Sequence, residues 1–209
     1  MDRIRKWFAL PAGVVPLLCN CFVFTNYQTA EMLPRGAKRV RPSVTASVNA
    51  EPGSRPFVYF PAGIRFERGV SDRVNLGFHQ GLYFATADED LFLFNYGGAQ
   101  FKLRLHPRTL TLVFDAGYHL GTGEYCMSLQ TGTTLIRTFY FGSGMDLSVA
   151  PHWGFVLSGY PSQFIGVHVN TGIPGRGVVF RPEIGVANID FGDTWTFSAG
   201  IGFDFASAK

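Results

Sequence analysis

Four histidines, His79, His119, His152 and His168, each sit within a stretch of alternating apolar and polar residues, on the polar alternate. Imidazole is the commonest metal ligand and the side chain that titrates nearest neutral pH. With Asp115 they are candidates for a metal or proton-relay cluster, or, more ordinarily, for polar fillers bonded to their neighbours. The same parity collects a basic set, Arg41, Arg65, Arg73, Lys102, Arg104 and Arg181, and an acidic set, Glu67, Asp115, Asp146, Glu183 and Asp204. Six against five is almost balanced. Charges held away from water are costly unless paired, so the expectation is an internal ion-pair network, with a narrow polar pore as the alternative. The tripeptide His168-Val169-Asn170 puts two functional side chains on one face of a strand. Asn cannot act as a nucleophile, however, and no Gly-x-Ser-x-Gly, His-Glu-x-x-His or phosphate-loop pattern occurs. No catalytic residue, resident metal or other cofactor is expected.

These side chains can meet only if the elements that carry them close on one another. The chain has 209 residues, of which 16% are charged and 15% aromatic, with 21 Phe and 25 Gly. A soluble surface carries more charge. The net charge of +3 and the absence of a basic block exclude nucleic acid as a partner class. The longest apolar run, Trp7 to Leu18, is broken by Pro11 and Pro16. A spanning helix needs ~20 apolar residues, so any membrane-spanning part must be strands. Arg3, Arg5 and Lys6 before that run read as a signal peptide over 1–20. Residues 21–37 read as an N-terminal tether, and 38–209 as the folded domain. Among Cys19, Cys21 and Cys126, two lie in or beside the leader, so no disulfide framework follows.

From residue 38 the period is two, the mark of strands with unlike faces. Trp195, Phe197, Ala199, Ile201, Phe203 and Phe205 alternate with Thr196, Ser198, Gly200, Gly202 and Asp204. Residues 40–49, 58–67, 73–84, 110–119 and 146–155 alternate nearly as cleanly. Segments 91–106, 129–141, 163–171 and 178–189 do so less cleanly. Ten strands are expected, with eight as the alternative if 129–141 or 163–171 is partly loop. An even number returns both ends to one rim. Ring size decides which face is outside. A lumen of about eight strands is only just wide enough for its side chains. Phe, Trp and Leu therefore face out, and Gly77, Gly81, Gly117, Gly154, Gly166, Gly185, Gly200 and Gly202 face in. A water-facing surface of such rings would aggregate, so its neighbour is lipid.

The leader, the alternating strands and the final strand ending Gly200-Ile201-Gly202-Phe203-Asp204-Phe205 resemble the bacterial outer-membrane β-barrel proteins. The resemblance covers residues 38–205. It implies an all-β, antiparallel up-and-down barrel in the outer membrane, surrounded by lipid. It also implies recognition of the last strand by the barrel-assembly machinery, although four residues follow Phe205 here. Leu18-Cys19-Asn20-Cys21 loosely resembles a lipobox, which makes Cys21 a candidate lipidation site. Some proteins of this class deacylate lipid A with a His and a Ser two residues apart. His168-Val169-Asn170 departs from that pattern at the nucleophile. The functional expectation is a structural or accessory barrel with a filled lumen. A small-solute pore and a lipid-modifying enzyme are the alternatives. The sequence names no partner protein.

Overall fold

The computed structural model describes residues 27–53, 56–87, 90–121, 127–157 and 161–206. The expected leader, Cys19, Cys21 and Cys126 lie outside these residues. Ten antiparallel strands follow in chain order: β1 Lys38–Ala50, β2 Phe57–Ser71, β3 Val74–Ala87, β4 Asp90–His106, β5 Leu110–Gly121, β6 Met127–Tyr140, β7 Asp146–Leu157, β8 Ser162–Pro174, β9 Val179–Ile189 and β10 Thr194–Ala206. Each pairs with its chain neighbours, and β1 pairs with β10, so the sheet closes into a barrel. The two segments that left eight strands open, 129–141 and 163–171, lie in complete strands paired on both sides, except that β6 ends at Tyr140. Among the described residues there is no helix.

Closure follows from the pattern. Each strand needs a hydrogen-bonding partner on both edges where no water can serve. The seam is long and in register, from Arg39 opposite Ala206 to Ala50 opposite Trp195. Both termini of the barrel lie at one rim, here the terminal rim; the opposite edge is the far rim. β2 runs through Gly69 and Val70 to Ser71, with a register shift between Gly69 and Ser71 just before the turn into β3.

Every strand carries exposed apolar side chains on the outer surface. Phe60, Phe78, Phe114, Trp153 and Phe197 are each 44–52% exposed. Such a belt around a closed ladder is stable only against lipid. Inside, the expected glycines make room: a β-carbon on Gly77 would strike Gln100, and one on Gly166 would strike His152. The lumen also holds rings that the face argument did not assign to it. Tyr59, Tyr83, Phe94 and Tyr96 cluster on the β2–β4 wall. Val156, Phe164, Ala187 and Ile189 cluster on the β7–β9 wall. Both clusters occupy the half nearer the far rim.

A lipid-facing charge should therefore be costly. Phe114→Lys, close to the middle of β5, is expected to lower the unfolding free energy by about 2–4 kcal/mol. Denaturant titration in phospholipid vesicles reads this, and an unchanged midpoint would remove Phe114 from the belt.

Candidate functional site: a lumen closed by its own N-terminal segment

The terminal half of the lumen is charged, and its charges are paired. Asp204 on β10 is bonded by Arg41 of β1 and by Arg181 Nε of β9, the latter at 2.6 Å. The two outer nitrogens of Arg181 reach the two carboxylate oxygens of Asp146 on β7, at 2.7 and 2.8 Å. This is the two-pronged geometry that favours Arg for carboxylates. On the other wall, Glu67 of β2 accepts from Asn75 and lies 3.5 Å from Lys102 Nζ. Glu183 on β9 lies 3.1 Å from His168 Nδ1 and 3.4 Å from Asn170 Nδ2.

The stretch read as a tether lies, from Tyr27 to Leu33, within this same space. Tyr27, Gln28, Thr29, Ala30, Met32 and Leu33 are all buried. The Tyr27 backbone N–H donates to Glu183, and its hydroxyl lies within hydrogen-bond distance of Val44 O and Thr45 Oγ1 of β1. Gln28 bridges the lumen. Its side-chain nitrogen donates to Gln100 of β4, and its carbonyl accepts from Asn170 of β8, at 3.0 and 3.1 Å. The Ala30 N–H donates to Thr138 of β6 at 2.7 Å. The Ala30 methyl packs with Val113, Ile136 and Ala150. The Glu31 carbonyl accepts from Lys102 Nζ at 2.9 Å, while its carboxylate pairs with Arg39 at 2.8 Å. Gly36 and Ala37 then bond to Gly69, bringing the chain onto the terminal rim.

Local sequence explains the fit. Pro34 and the positive φ of Gly36 turn the chain at the rim. Gly200 and Gly202 on β10 leave the space that the Tyr27 ring fills; a β-carbon at Gly200 would collide with the Tyr27 hydroxyl. Gly69 admits the carbonyls of Leu33 and Pro34 in the same way.

Of the lumen residues expected from sequence, Arg41, Glu67, Lys102, Asp146, Arg181, Glu183 and Asp204 join this pairing. Arg65 and Asp115 line a central cavity of about 90 Å³ together with Tyr27, Gln28, His79 and Gln100. Two expected members stand apart. Arg73 is exposed in the β2–β3 turn, beyond the end of the inward-facing parity. Arg104 lines a recess at the terminal rim beside Glu31 and Tyr140. Arg39 and Glu31 were not among the expected residues. Arg39 shares the parity of Arg41 and could have been found from it; Glu31 lies in a stretch without a period.

The four histidines do not form one cluster. His79 and His119 flank Tyr96 on the β3–β5 wall, while the His152 and His168 rings lie 4.8 Å apart across β7 and β8. Strands on different arcs of the barrel hold the two pairs apart. Among the described residues no three His, Cys, Asp or Glu side chains are placed to share a metal ion. His168 and Asn170 both point inward, onto Glu183.

No family model and no curated protein matches the chain. Solved structures do. The translocator domain of the autotransporter NalP from Neisseria meningitidis aligns over 98% of this chain and 97% of its own, with TM-score 0.52 and 9% identity. An outer-membrane channel from Pseudomonas putida F1 aligns over 88% and 100%, with TM-score 0.49 and 10% identity. OprG from Pseudomonas aeruginosa aligns over 85% and 99%, with TM-score 0.41 and 9% identity. The likeness to the translocator domain is one of fold, the closed β-barrel of the bacterial outer membrane.

Removing the carboxylate between Arg41 and Arg181 leaves two buried cations short of a partner. Asp204→Asn should cost about 3–5 kcal/mol. Replacing Arg41 and Asp204 together by Met and Leu should restore most of it, since Arg181 keeps Asp146. Unfolding midpoints of the single and double variants check this; equal losses would mean that pairing at Asp204 is not what the site depends on.

Proposed function

We propose that the protein is an outer-membrane barrel with a structural or accessory role, whose lumen is held shut by its own N-terminal segment. The observation that carries this reading is the seating of Tyr27 to Leu33 across the lumen, bonded to β1, β4, β6, β8 and β9. A pore needs a continuous wet path, and here the terminal half is filled by the segment and its ion pairs. The far half is narrowed by apolar and aromatic clusters on facing walls. The central cavity of about 90 Å³ has room for a few waters. In this reading the chain performs no chemistry on lipid. Its partners are the surrounding lipid and, during biogenesis, the assembly machinery that reads the last strand.

One observation favours a gated pore as the second reading. The segment bonds largely to side chains of the wall and takes no place in the strand ladder, so it can leave without breaking the barrel. Planar-bilayer recording separates the two readings. The intact protein is expected to be silent under the first and to open in steps under the second. A chain lacking residues 27–33 should conduct under either, because the charged walls would then face water. Steps from the intact protein would overturn the closed reading. Silence from the shortened chain, with its barrel intact by heat-modifiable migration, would show that the segment is not what closes it.

A further inference from the structure

Within the lipid-facing belt, three polar side chains bond to one another. Gln80 of β3, Asn95 of β4 and Tyr118 of β5 all lie on the outward parity. They form a chain on that face: Gln80 Nε2 donates to Asn95 Oδ1 at 2.8 Å, and the Tyr118 hydroxyl donates to Gln80 Oε1 at 3.1 Å. Register places Gly97 between Gln80 and Tyr118. A β-carbon there would lie 2.8 Å from Gln80 Oε1 and 2.9 Å from the Tyr118 hydroxyl, so the glycine is what lets Gln80 and Tyr118 meet. The next rung toward the terminal rim runs Ala99, Ala116 and Thr131 across β4, β5 and β6, which gives the patch low relief. Exposed apolar side chains bracket it along the strands: Phe78 and Leu82 on β3, Leu93 and Phe101 on β4, Phe114 and Leu120 on β5.

We propose that this face of β3–β6 is the contact through which two copies of the chain associate in the membrane. Hydrocarbon offers polar groups nothing, and each one left unmade there is costly. Three such groups bracketed by exposed apolar side chains need a polar neighbour. The internal chain uses only part of their capacity. Among the described residues the Asn95 carboxamide nitrogen has no acceptor, and the Tyr118 oxygen receives no donor. A patch that holds both unused donors and an unused acceptor is complementary to itself, which is all that a two-fold contact requires. Small residues beside it permit the close approach that packing in lipid needs, as they do between membrane helices. A lipid headgroup meets the barrel at its rims, whereas this patch is bracketed by apolar side chains on both sides.

The proposal is tested by light-driven cross-linking in intact outer membranes. Benzoylphenylalanine replaces Phe114, beside the patch, or Phe197 on β10, the opposite wall. The full chain should give an adduct of twice its own mass from position 114 and none from 197. Asn95→Leu with Tyr118→Phe should reduce that adduct at least tenfold while heat-modifiable migration shows the barrel still folded. No adduct from 114, or equal adducts from both positions, would overturn the proposal. So would an adduct of a different mass, which would assign the patch to another protein or to lipid. A dimer band that survives the double substitution would place the contact elsewhere.

Discussion

The barrel depends on the pairing of charge at the seam where its ends meet. Asp204 lies on the last strand, Arg41 on the first and Arg181 on the ninth, and the carboxylate is shared between the two guanidinium groups. A closed sheet needs its first and last strands in one register, because a slip by one residue turns every side chain to the wrong face. The backbone ladder of β1 and β10 is uniform along its length and does not by itself distinguish neighbouring registers. A buried carboxylate that must meet two cations does. Through Arg181 the same cluster reaches Asp146 on β7, so the register of the seam is tied to the far side of the polar half.

That constraint shapes the rest of the lumen. Buried ions tolerate neither empty space nor unmatched neighbours. The glycines narrow the walls, and the N-terminal segment fills what the walls leave. It supplies backbone N–H and carbonyl groups as much as side chains: Tyr27 N–H to Glu183, the Gln28 carbonyl to Asn170, the Glu31 carbonyl to Lys102. Backbone groups add polar partners without adding charge, which suits a cavity whose ionic ledger is already near balance.

The strands were legible because burial on one side and lipid on the other impose a period of two that no loop imitates. Residues 195–205 show it most plainly, with large rings out and glycines in. Parity alone placed Arg41, Glu67, Lys102, Asp146, Arg181, Glu183 and Asp204 inside. It failed at Arg73, which lies in the turn just before β3 begins, and at the histidines, whose shared face said nothing of which arc of the barrel each occupied. It also missed the inward rings of Tyr83 and Tyr96, because aromatic content was assigned to the outer face as a whole. The lumen segment was illegible for a different reason. Its conformation is set by residues up to 156 positions away, as in the bond from Tyr27 to Glu183, and nothing local repeats. The nearest clue was indirect: Gly200 and Gly202 leave a hollow on β10 that no residue of β10 fills.

The ring of Tyr27 in that hollow carries an implication for the sequence of events in assembly. The seat is built from two strands far apart in sequence: the Tyr27 hydroxyl reaches Val44 O and Thr45 Oγ1 of β1, and its ring fills the hollow at Gly200 and Gly202 of β10. It is complete only once β10 has joined β1. The strand that closes the wall therefore also completes the socket for the segment, which reaches its final seat no earlier than closure.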